Sequence, residues 1–223
     1  MAVKIFITGT DTDIGKTVIT SLIAEYLQGQ GMNCGYLKLV SCGGPVCGDC
    51  RYVQSEAGIA VHNVYHFPLA ASPHLAAEED GQQIDVRMLD QAVHAMDSQH
   101  DVVLIEGAGG LAVPLSRSLL LGDYMASQDV QALVVARSGL GTINHTLLTL
   151  DGLKQRGLAL LGVIFNDEQV YGADNVLAVD NQRTIGEFSK APLLGRMIRF
   201  DSWSAGRQAF QTIGYNLLSK LED

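Results

Sequence analysis

The sequence predicts an α/β fold with a doubly wound, mainly parallel sheet, formed as a single domain over residues 1–223. Short apolar runs rich in β-branched residues alternate with segments of helical periodicity, which is typical of parallel sheets covered on both faces. Hydrophobic residues make up 47% of the chain, enough for a large core. No repeat and no change of composition indicates a second domain.

The predicted elements follow in order along the chain. A strand over 3–8 precedes a helix with one apolar face, formed by positions 19, 22, 23, 26 and 27, which ends near 29–31. A second strand spans 33–40 and leads into a glycine-containing loop. A helix over 86–96 precedes a strand that ends at Glu106. Strands over 131–138 and 158–167 flank a helix over 144–157, and a final helix spans 202–221.

Charge and hydropathy exclude several classes of protein. The formal net charge is −9, from 15 basic and 24 acidic residues, which argues against nonspecific binding to nucleic acid. An anionic ligand must therefore be held by local groups. No run of about 18 apolar residues is present, so we expect no membrane span. The N-terminal apolar run is too short for a signal peptide, which predicts a cytoplasmic protein.

Residues 9–17, GTDTDIGKT, lie between the first strand and the first helix, where a phosphate-binding loop is expected. Gly15 lets the main chain approach phosphate, Lys16 can neutralise the β and γ oxygens, and the Thr17 hydroxyl can ligate Mg²⁺. Asp13 and Ile14 complete the predicted nucleotide contacts. Five residues separate the two glycines, where the common motif has four. The alternative is a glycine turn with a solvated lysine.

Three carboxylates lie near this loop. Asp11 and Asp13 would repel a bare triphosphate unless Mg²⁺ or a cationic second substrate is present; either could equally face solvent. Glu106 ends a strand and suits Mg²⁺, which prefers oxygen ligands. The residues after it, Gly107, Ala108 and Gly109, would let a nucleotide pack against the main chain. The alternative for Glu106 is a solvated carboxylate at a strand end.

Lys38 ends the second predicted strand. A lysine in an apolar run is costly unless it is paired or emerges at the strand end. A second cation beside Lys16 would suit phosphoryl transfer, in which charge spreads over the phosphate oxygens. The alternative is a lysine whose ammonium reaches solvent.

Two further strand ends carry candidate residues. The loop before the helix over 144–157 can hold a carboxylate at its N–H groups, or it is an ordinary capped turn; it consists of Gly139, Leu140, Gly141 and Thr142. Asn166 and Asp167 follow the last strong strand and could read a nucleobase, or they form a polar strand exit.

The four cysteines are Cys34, Cys42, Cys47 and Cys50. The spacing of Cys47 and Cys50 permits metal binding or redox cycling. A tetrahedral site needs four ligands, and no second cysteine pair follows. His62 and His66 would complete one only at unusual spacing, so we expect free thiols in a loop.

The chain resembles the dethiobiotin synthetases, ligases of biotin biosynthesis with a P-loop NTPase-like fold. The matching segments occur in family order over nearly the whole chain: GTDTDIGKTV, GYLKLVS, SPHLAA, VVLIEGAGGLAVPL, GLGTINHTLLT, GVIFND and APLLG. The resemblance implies ATP- and Mg²⁺-dependent closure of a ureido ring from 7,8-diaminopelargonate and CO₂, with release of ADP and phosphate. A carbamate of the substrate attacks the γ-phosphate of ATP. The second amine then closes the ring by attacking the resulting mixed anhydride, so that positioning and charge stabilisation dominate catalysis.

The resemblance also implies residue roles. Lys16 and Lys38 would be catalytic, with Lys38 near the carbamate and the γ-phosphate. Thr17, Asp49 and Glu106 would ligate Mg²⁺, and Asn166 would recognise adenine. Thr12 and Ser41 would contact the substrate, and its carboxylate would be held by residues 139–142 of a partner subunit. The implied unit is a homodimer with shared active sites.

The sequence departs from the family pattern at three places. Leu39 replaces the usual proline after Lys38, and the loop before Asp49 is shorter than in the family. Arg196 and Arg199 follow the APLLG segment, where they could change which nucleotides bind. Two alternatives stay open. One is a regulatory module of the same fold that binds nucleotide without ring closure. The other is a partitioning-type ATPase, although those have a second lysine where this chain has Thr10 and Asp11.

Overall fold

The computed structural model describes residues 1–167, 169, 172 and 174–222. Its strands are β1 (Val3–Gly9), β2 (Cys34–Cys42), β3 (Ala60–Phe67), β4 (Val102–Glu106), β5 (Pro114–Ser116), β6 (Leu119–Leu120), β7 (Gln131–Arg137), β8 (Ala159–Asn166) and β9 (Leu193–Met197). Its helices are α1 (Lys16–Gly29), α2 (Gly48–Ala57), α3 (Pro73–Glu79), α4 (Val86–Asp97), α5 (Leu121–Ala126), α6 (Thr142–Gln155), α7 (Val176–Ser189) and α8 (Trp203–Glu222).

Seven of these strands form one sheet in the order β3-β2-β4-β1-β7-β8-β9. Every pairing within it is parallel, and β5 and β6 form a separate antiparallel hairpin. The central strands are buried on both faces, so their sequences are apolar without alternation. In β1, for example, Ile5 and Ile7 face one core and Phe6 faces the other.

The two cores lie on opposite faces of the sheet. One contains Ile19 of α1, Val53 of α2 and Phe210 of α8. The other contains apolar residues of α4, α6 and α7, among them Leu89 and Leu150. Helices therefore cover both faces, and the predicted doubly wound α/β fold is confirmed. None of the described helices is both long enough and apolar enough to cross a membrane.

Two predictions about local structure are wrong. Lys38 is not at a strand end: β2 continues four residues further, to Cys42. Cys50 is not in a loop, because α2 begins at Gly48 with Cys47 as its N-cap residue. The sequence does not predict β3, β5, β6, β9, α2, α3, α5 or α7. In the seven-stranded sheet the unpredicted strands are the two edge strands, β3 and β9, and β9 has only five residues.

Candidate functional site

The strand order creates the site. Strands β2, β4 and β1 are neighbours, so the chain segments that leave their carboxyl ends meet at one edge of the sheet. Ligands bind at this edge in open parallel sheets. The loop after β1 leads into α1, the segment after β2 leads into α2, and the glycine-rich segment follows β4.

The loop between β1 and α1 has the geometry of an anion-binding turn. Gly15 is the N-cap of α1 with φ of 85°, a left-handed conformation that favours glycine. The N–H groups of the first helical turn lack intrahelical partners, and the helix dipole favours an anion there. Ile14 is 1% exposed and packs into the core, so only its main chain faces the loop.

Lys16 is buried above this loop. Its Nζ donates a hydrogen bond to the Asp11 main-chain oxygen at 3.1 Å. Burial lowers the pKa of Lys16, and the nearby Lys38 lowers it further, while Glu106 opposes the shift. The ammonium group is thus held at a cost that an anionic ligand would offset.

The two loop aspartates have different surroundings. Asp11 forms an ion pair with Arg137, with Oδ2 and the guanidinium nitrogen 3.1 Å apart. Asp13 is exposed and adopts a positive φ of 56°. Asp11 therefore does not simply face solvent, and its charge is balanced across the loop.

Lys38 lies in the middle of β2, and its ammonium group contacts two carboxylates from other elements. Its Nζ lies 2.8 Å from Glu106 Oε1 and 2.5 Å from Asp49 Oδ2, and it also donates to the Gly107 oxygen at 3.2 Å. Lys38 and Glu106 are register partners on β2 and β4, and they are 3% and 1% exposed. The ammonium does not reach solvent, because paired carboxylates make its burial tolerable.

This pairing fixes the charge states. Burial alone would lower the pKa of Lys38, but the fields of Glu106 and Asp49 outweigh it and the pKa is raised. Burial would raise the pKa of Asp49, but Lys38 outweighs it and that pKa is lowered. Lysine and aspartate are therefore both charged at neutral pH.

The three residues predicted to bind Mg²⁺ lie together. Thr17 Oγ1 donates to Asp49 Oδ1 at 2.7 Å and lies 3.4 Å from Glu106 Oε1. Asp49 reaches this position because it lies in the first turn of α2. Among the residues described, no group of three or more His, Cys, Asp or Glu side chains could hold a metal ion. Two carboxylates and a hydroxyl fit Mg²⁺, which keeps several of its waters.

Glu106 has a further partner that the sequence did not predict. Tyr36 is fully buried, and its hydroxyl donates to Glu106 Oε2 at 3.2 Å. A sequence signal existed: Tyr36 precedes Lys38 by two residues and so lies on the same face of β2. Arg137, the partner of Asp11, was also missed.

The glycine-rich segment after β4 packs directly against the phosphate loop. A Cβ added to Gly110 would lie 2.7 Å from the Gly9 oxygen. Gly109 has φ of 67°, and Ala108 is partly buried. Exposed Thr12 lies near Gly109. The residues predicted to contact ligands on the phosphate loop and on the segment after β4 therefore line one surface.

Asn166 and Asp167 hold the other side of the loop. Asn166 Nδ2 donates to the Ile14 oxygen at 2.9 Å. Asp167 is paired with Arg196 through two hydrogen bonds, of 2.9 and 2.8 Å. The charge of Arg196 is thus balanced by Asp167. Arg199 is exposed.

Ser41 lies at the carboxyl end of β2 within a polar cluster. Its Oγ is 2.8 Å from His66 Nδ1 and 2.9 Å from Asn63 Oδ1. His66 Nε2 is 3.1 Å from the Gly44 oxygen. Residues of β3 therefore hold the Ser41 hydroxyl in place. The sequence did not predict this strand.

The segment 139–142 lies beyond the end of β7. Thr142 is fully buried, and its Oγ1 donates to the Arg137 oxygen at 2.6 Å. The Gly139 oxygen accepts from Asn181 at 3.1 Å. Leu140 is 87% exposed, and Gly141 is the N-cap of α6 with φ of 89°. The tip of this loop thus projects outward.

The four cysteines are free thiols, as predicted. Cys50 donates its main-chain N–H to Cys47 Sγ at 3.3 Å. A hydrogen bond from the Cys50 thiol lowers the pKa of Cys47 to about 6, against the effect of burial.

A glycine-capped helix after a buried strand, a lysine over the loop and a hydroxyl beside two carboxylates define a P-loop nucleotide-binding protein of the NTPase-like class. A family model described as an AAA domain matches residues 3–201. The cell division ATPase MinD of Pyrococcus furiosus has a similar structure, with a TM-score of 0.65 at 17% identity over 100% of this chain and 99% of that one. This likeness shows the fold alone.

Relatives of higher identity are ATP-dependent dethiobiotin synthetases BioD. The protein of Methanococcus vannielii is 39% identical over 73% of this chain and 78% of its own. That of Halalkalibacterium halodurans is 38% identical over 85% of this chain and 82% of its own. The chain belongs to the ATP-dependent dethiobiotin synthetase family, which confirms the resemblance seen in the sequence.

Gly15 provides a test of the loop geometry. A Cβ at this position would lie 2.3 Å from Asn166 Nδ2, in a backbone with φ of +85°. We expect Gly15→Ala to weaken ATP binding at least tenfold, measured by calorimetry, because the loop or Asn166 must move. Gly31 has the same φ with nothing within 4 Å. Gly31→Ala should therefore cost about 1 kcal/mol of stability and leave ATP affinity unchanged. Equal affinity losses in both variants would contradict the account.

Proposed function

We propose that residues 1–223 act as a single-domain, ATP- and Mg²⁺-dependent dethiobiotin synthetase that converts 7,8-diaminopelargonate and CO₂ to dethiobiotin, ADP and phosphate. The observation that carries the proposal is the Lys38–Glu106–Asp49 cluster beside the phosphate loop, in a chain of this family. No described side chain of the cluster has to act as a nucleophile, because the substrate supplies both amines.

The residues divide the work between the phosphates and the reacting carbamate. The first turn of α1 and Lys16 would bind the β- and γ-phosphates. Thr17, Asp49 and Glu106 would hold Mg²⁺, which neutralises developing charge on the phosphates. Lys38 would lie between the carbamate and the γ-phosphate, where it offsets the repulsion of two anions. Asn166 would contact the base from its position beside the loop.

Glu106 tests the metal assignment. Glu106→Gln removes the charge but keeps the shape, so we expect the Mg²⁺ concentration for half-maximal turnover to rise about 10- to 100-fold. Glu25→Gln is the matched control, since Glu25 lies on α1 and accepts a hydrogen bond from the Trp203 indole. An unchanged Mg²⁺ titration in Glu106→Gln would remove this residue from the metal site.

The proposed unit is a homodimer in which residues 139–142 of one subunit hold the carboxylate of the substrate bound to the other. Exposed apolar side chains support such an interface near α6 and α7: Leu140 (87%), Leu148 (63%), Val176 (81%) and Val179 (50%). The four free thiols support a location in the reducing cytoplasm.

Leu148 tests the interface. We expect Leu148→Glu to sediment as a monomer and to lose most of its activity, because it would place a charge in the apolar surface that the dimer would bury. Tyr215→Glu is the control, since Tyr215 is 67% exposed on α8. Activity per chain that is unchanged when the protein is diluted to monomer would contradict the shared site.

Isotope transfer tests the reaction itself. The protein is incubated with Mg²⁺, ATP, 7,8-diaminopelargonate and ¹³C-bicarbonate, and the product is analysed by mass spectrometry. The proposal predicts a cyclic urea that carries the isotope and forms only when ATP is present. Recovery of the unmodified diamine alongside bound ATP would favour the regulatory module.

A further inference from the structure

The first turn of α2 carries two thiols that the proposed reaction does not use. Cys47 is the N-cap residue of α2, and its sulfur accepts a hydrogen bond from the Cys50 N–H at 3.3 Å. The sulfur of Cys47 therefore already lies over the helical turn that carries Cys50. Side chains three residues apart on a helix have Cβ atoms about 5–6 Å apart, close enough for a disulfide after a small adjustment.

The two thiols differ in accessibility. Cys47 is partly exposed, whereas Cys50 is 8% exposed and packs with Val53 in the core. An oxidant would reach Cys47 first, and Cys50 would then be the nearby thiol that resolves the adduct. Cys34 is 2% exposed and is the first residue of β2, whereas Cys47 and Cys50 follow the carboxyl end of that strand.

Asp49 lies between the two cysteines. Its carboxylate accepts from Thr17 at 2.7 Å and pairs with Lys38 at 2.5 Å. A shift of the first turn of α2 would therefore displace a carboxylate of the phosphate site.

We propose that Cys47 and Cys50 form a reversible dithiol–disulfide switch, and that closure of the disulfide displaces Asp49 and weakens Mg²⁺ binding. The disulfide itself is independent of the proposed function, while its effect on Mg²⁺ rests on the proposed metal site. The oxidant is a small disulfide such as glutathione disulfide.

The exchange balances in two steps. The sulfur of Cys47, after loss of its proton, attacks one sulfur of glutathione disulfide, which breaks that S–S bond and releases one glutathione thiolate. The sulfur of Cys50, after loss of its proton, attacks the Cys47 sulfur of the mixed disulfide and releases the second glutathione. The two thiols lose two electrons and two protons, and the oxidant becomes two glutathione thiols.

The test treats the full chain with glutathione disulfide and maps disulfides by peptide mass spectrometry after alkylation of free thiols. Mg²⁺-dependent ATP binding is measured on reduced, oxidised and re-reduced protein. Cys47→Ser and Cys50→Ser remove the pair, and serine at position 47 still caps the helix. Cys42→Ser is the matched control, because it removes a third, partly buried thiol from the same region.

The proposal predicts a Cys47–Cys50 disulfide in the unmutated chain and in Cys42→Ser, with Mg²⁺ affinity about 10- to 100-fold weaker until a dithiol restores it. Neither change should occur in Cys47→Ser, whereas Cys50→Ser should form no intramolecular disulfide and should stop at the glutathione adduct of Cys47. In the unmutated chain, a stable glutathione adduct without a disulfide, or a disulfide to Cys42, would overturn the switch. A mapped Cys47–Cys50 disulfide with an unchanged Mg²⁺ titration would overturn its control of Asp49. Failure of the reduced protein to close the ring would instead overturn the proposed function, since the peptide mapping does not depend on it.

Discussion

Replacement of Lys38 with methionine is expected to lower turnover by about 10²- to 10³-fold, the range seen when one preorganised charge or donor is removed from a transition state. The reason is local. Lys38 lies on β2, next to the end of β4, between the carboxylates of Glu106 and Asp49. These carboxylates raise the pKa of Lys38 against the effect of burial, so the lysine stays charged. Methionine fills the space of the side chain but supplies no charge.

The same substitution should also reduce stability. Glu106 is 1% exposed, and loss of one partner of a buried ion pair costs about 3–5 kcal/mol. Because Mg²⁺ would supply the missing positive charge, we expect thermal unfolding of Lys38→Met to be more strongly Mg²⁺-dependent than that of the unmutated chain. ATP binding, measured by calorimetry, should persist because Lys16 is retained.

Lys4 provides the matched control for Lys38. It is also a buried lysine, 8% exposed, and it pairs with Asp97 at 3.5 Å near the beginning of β1, away from the phosphate loop. Lys4→Met should lose stability but keep turnover per folded molecule. Near-normal ring closure by Lys38→Met, or an equal loss in Lys4→Met, would remove the role assigned to Lys38.

Replacement of Lys16 with methionine should have the opposite balance of effects. We expect ATP affinity to fall at least 100-fold, because the ammonium over the loop is lost. Stability without ligand should not fall, because burial lowers the pKa of Lys16 and the chain therefore holds its charge at a cost. Calorimetric titration with Mg²⁺ and ATP, together with thermal unfolding of the ligand-free variant, measures both effects. Retained ATP affinity, or destabilisation as large as in Lys38→Met, would contradict this assignment.

The sequence predicted the five inner strands of the sheet and the phosphate loop, because each depends on local pattern. The run of buried positions in β1 and the GKT that follows it are contiguous, so neither needs tertiary information. Asp49 is different. Nothing in the sequence around CGDC shows that α2 begins at Gly48 and aims this carboxylate at Thr17 and Lys38.

The error about Lys38 has a clear physical cause. A lysine in an apolar run predicts a strand end, because an unpaired buried charge is costly. Its partner lies 68 residues away on β4, and only the sheet register brings the two together. The same holds for Asp167 and Arg196, whose pairing balances a charge that the sequence alone left available to the nucleotide.

The measurement that tests the central claim most directly is phosphate release from ATP with Mg²⁺ and bicarbonate, with and without 7,8-diaminopelargonate. Each nucleoside triphosphate is run in parallel, which also tests whether Arg196 and Arg199 change the nucleotide preference. We predict release that requires the diamine and is lost in Lys38→Met. Binding of ATP without diamine-dependent release would contradict the ligase assignment and favour a nucleotide-binding regulatory module.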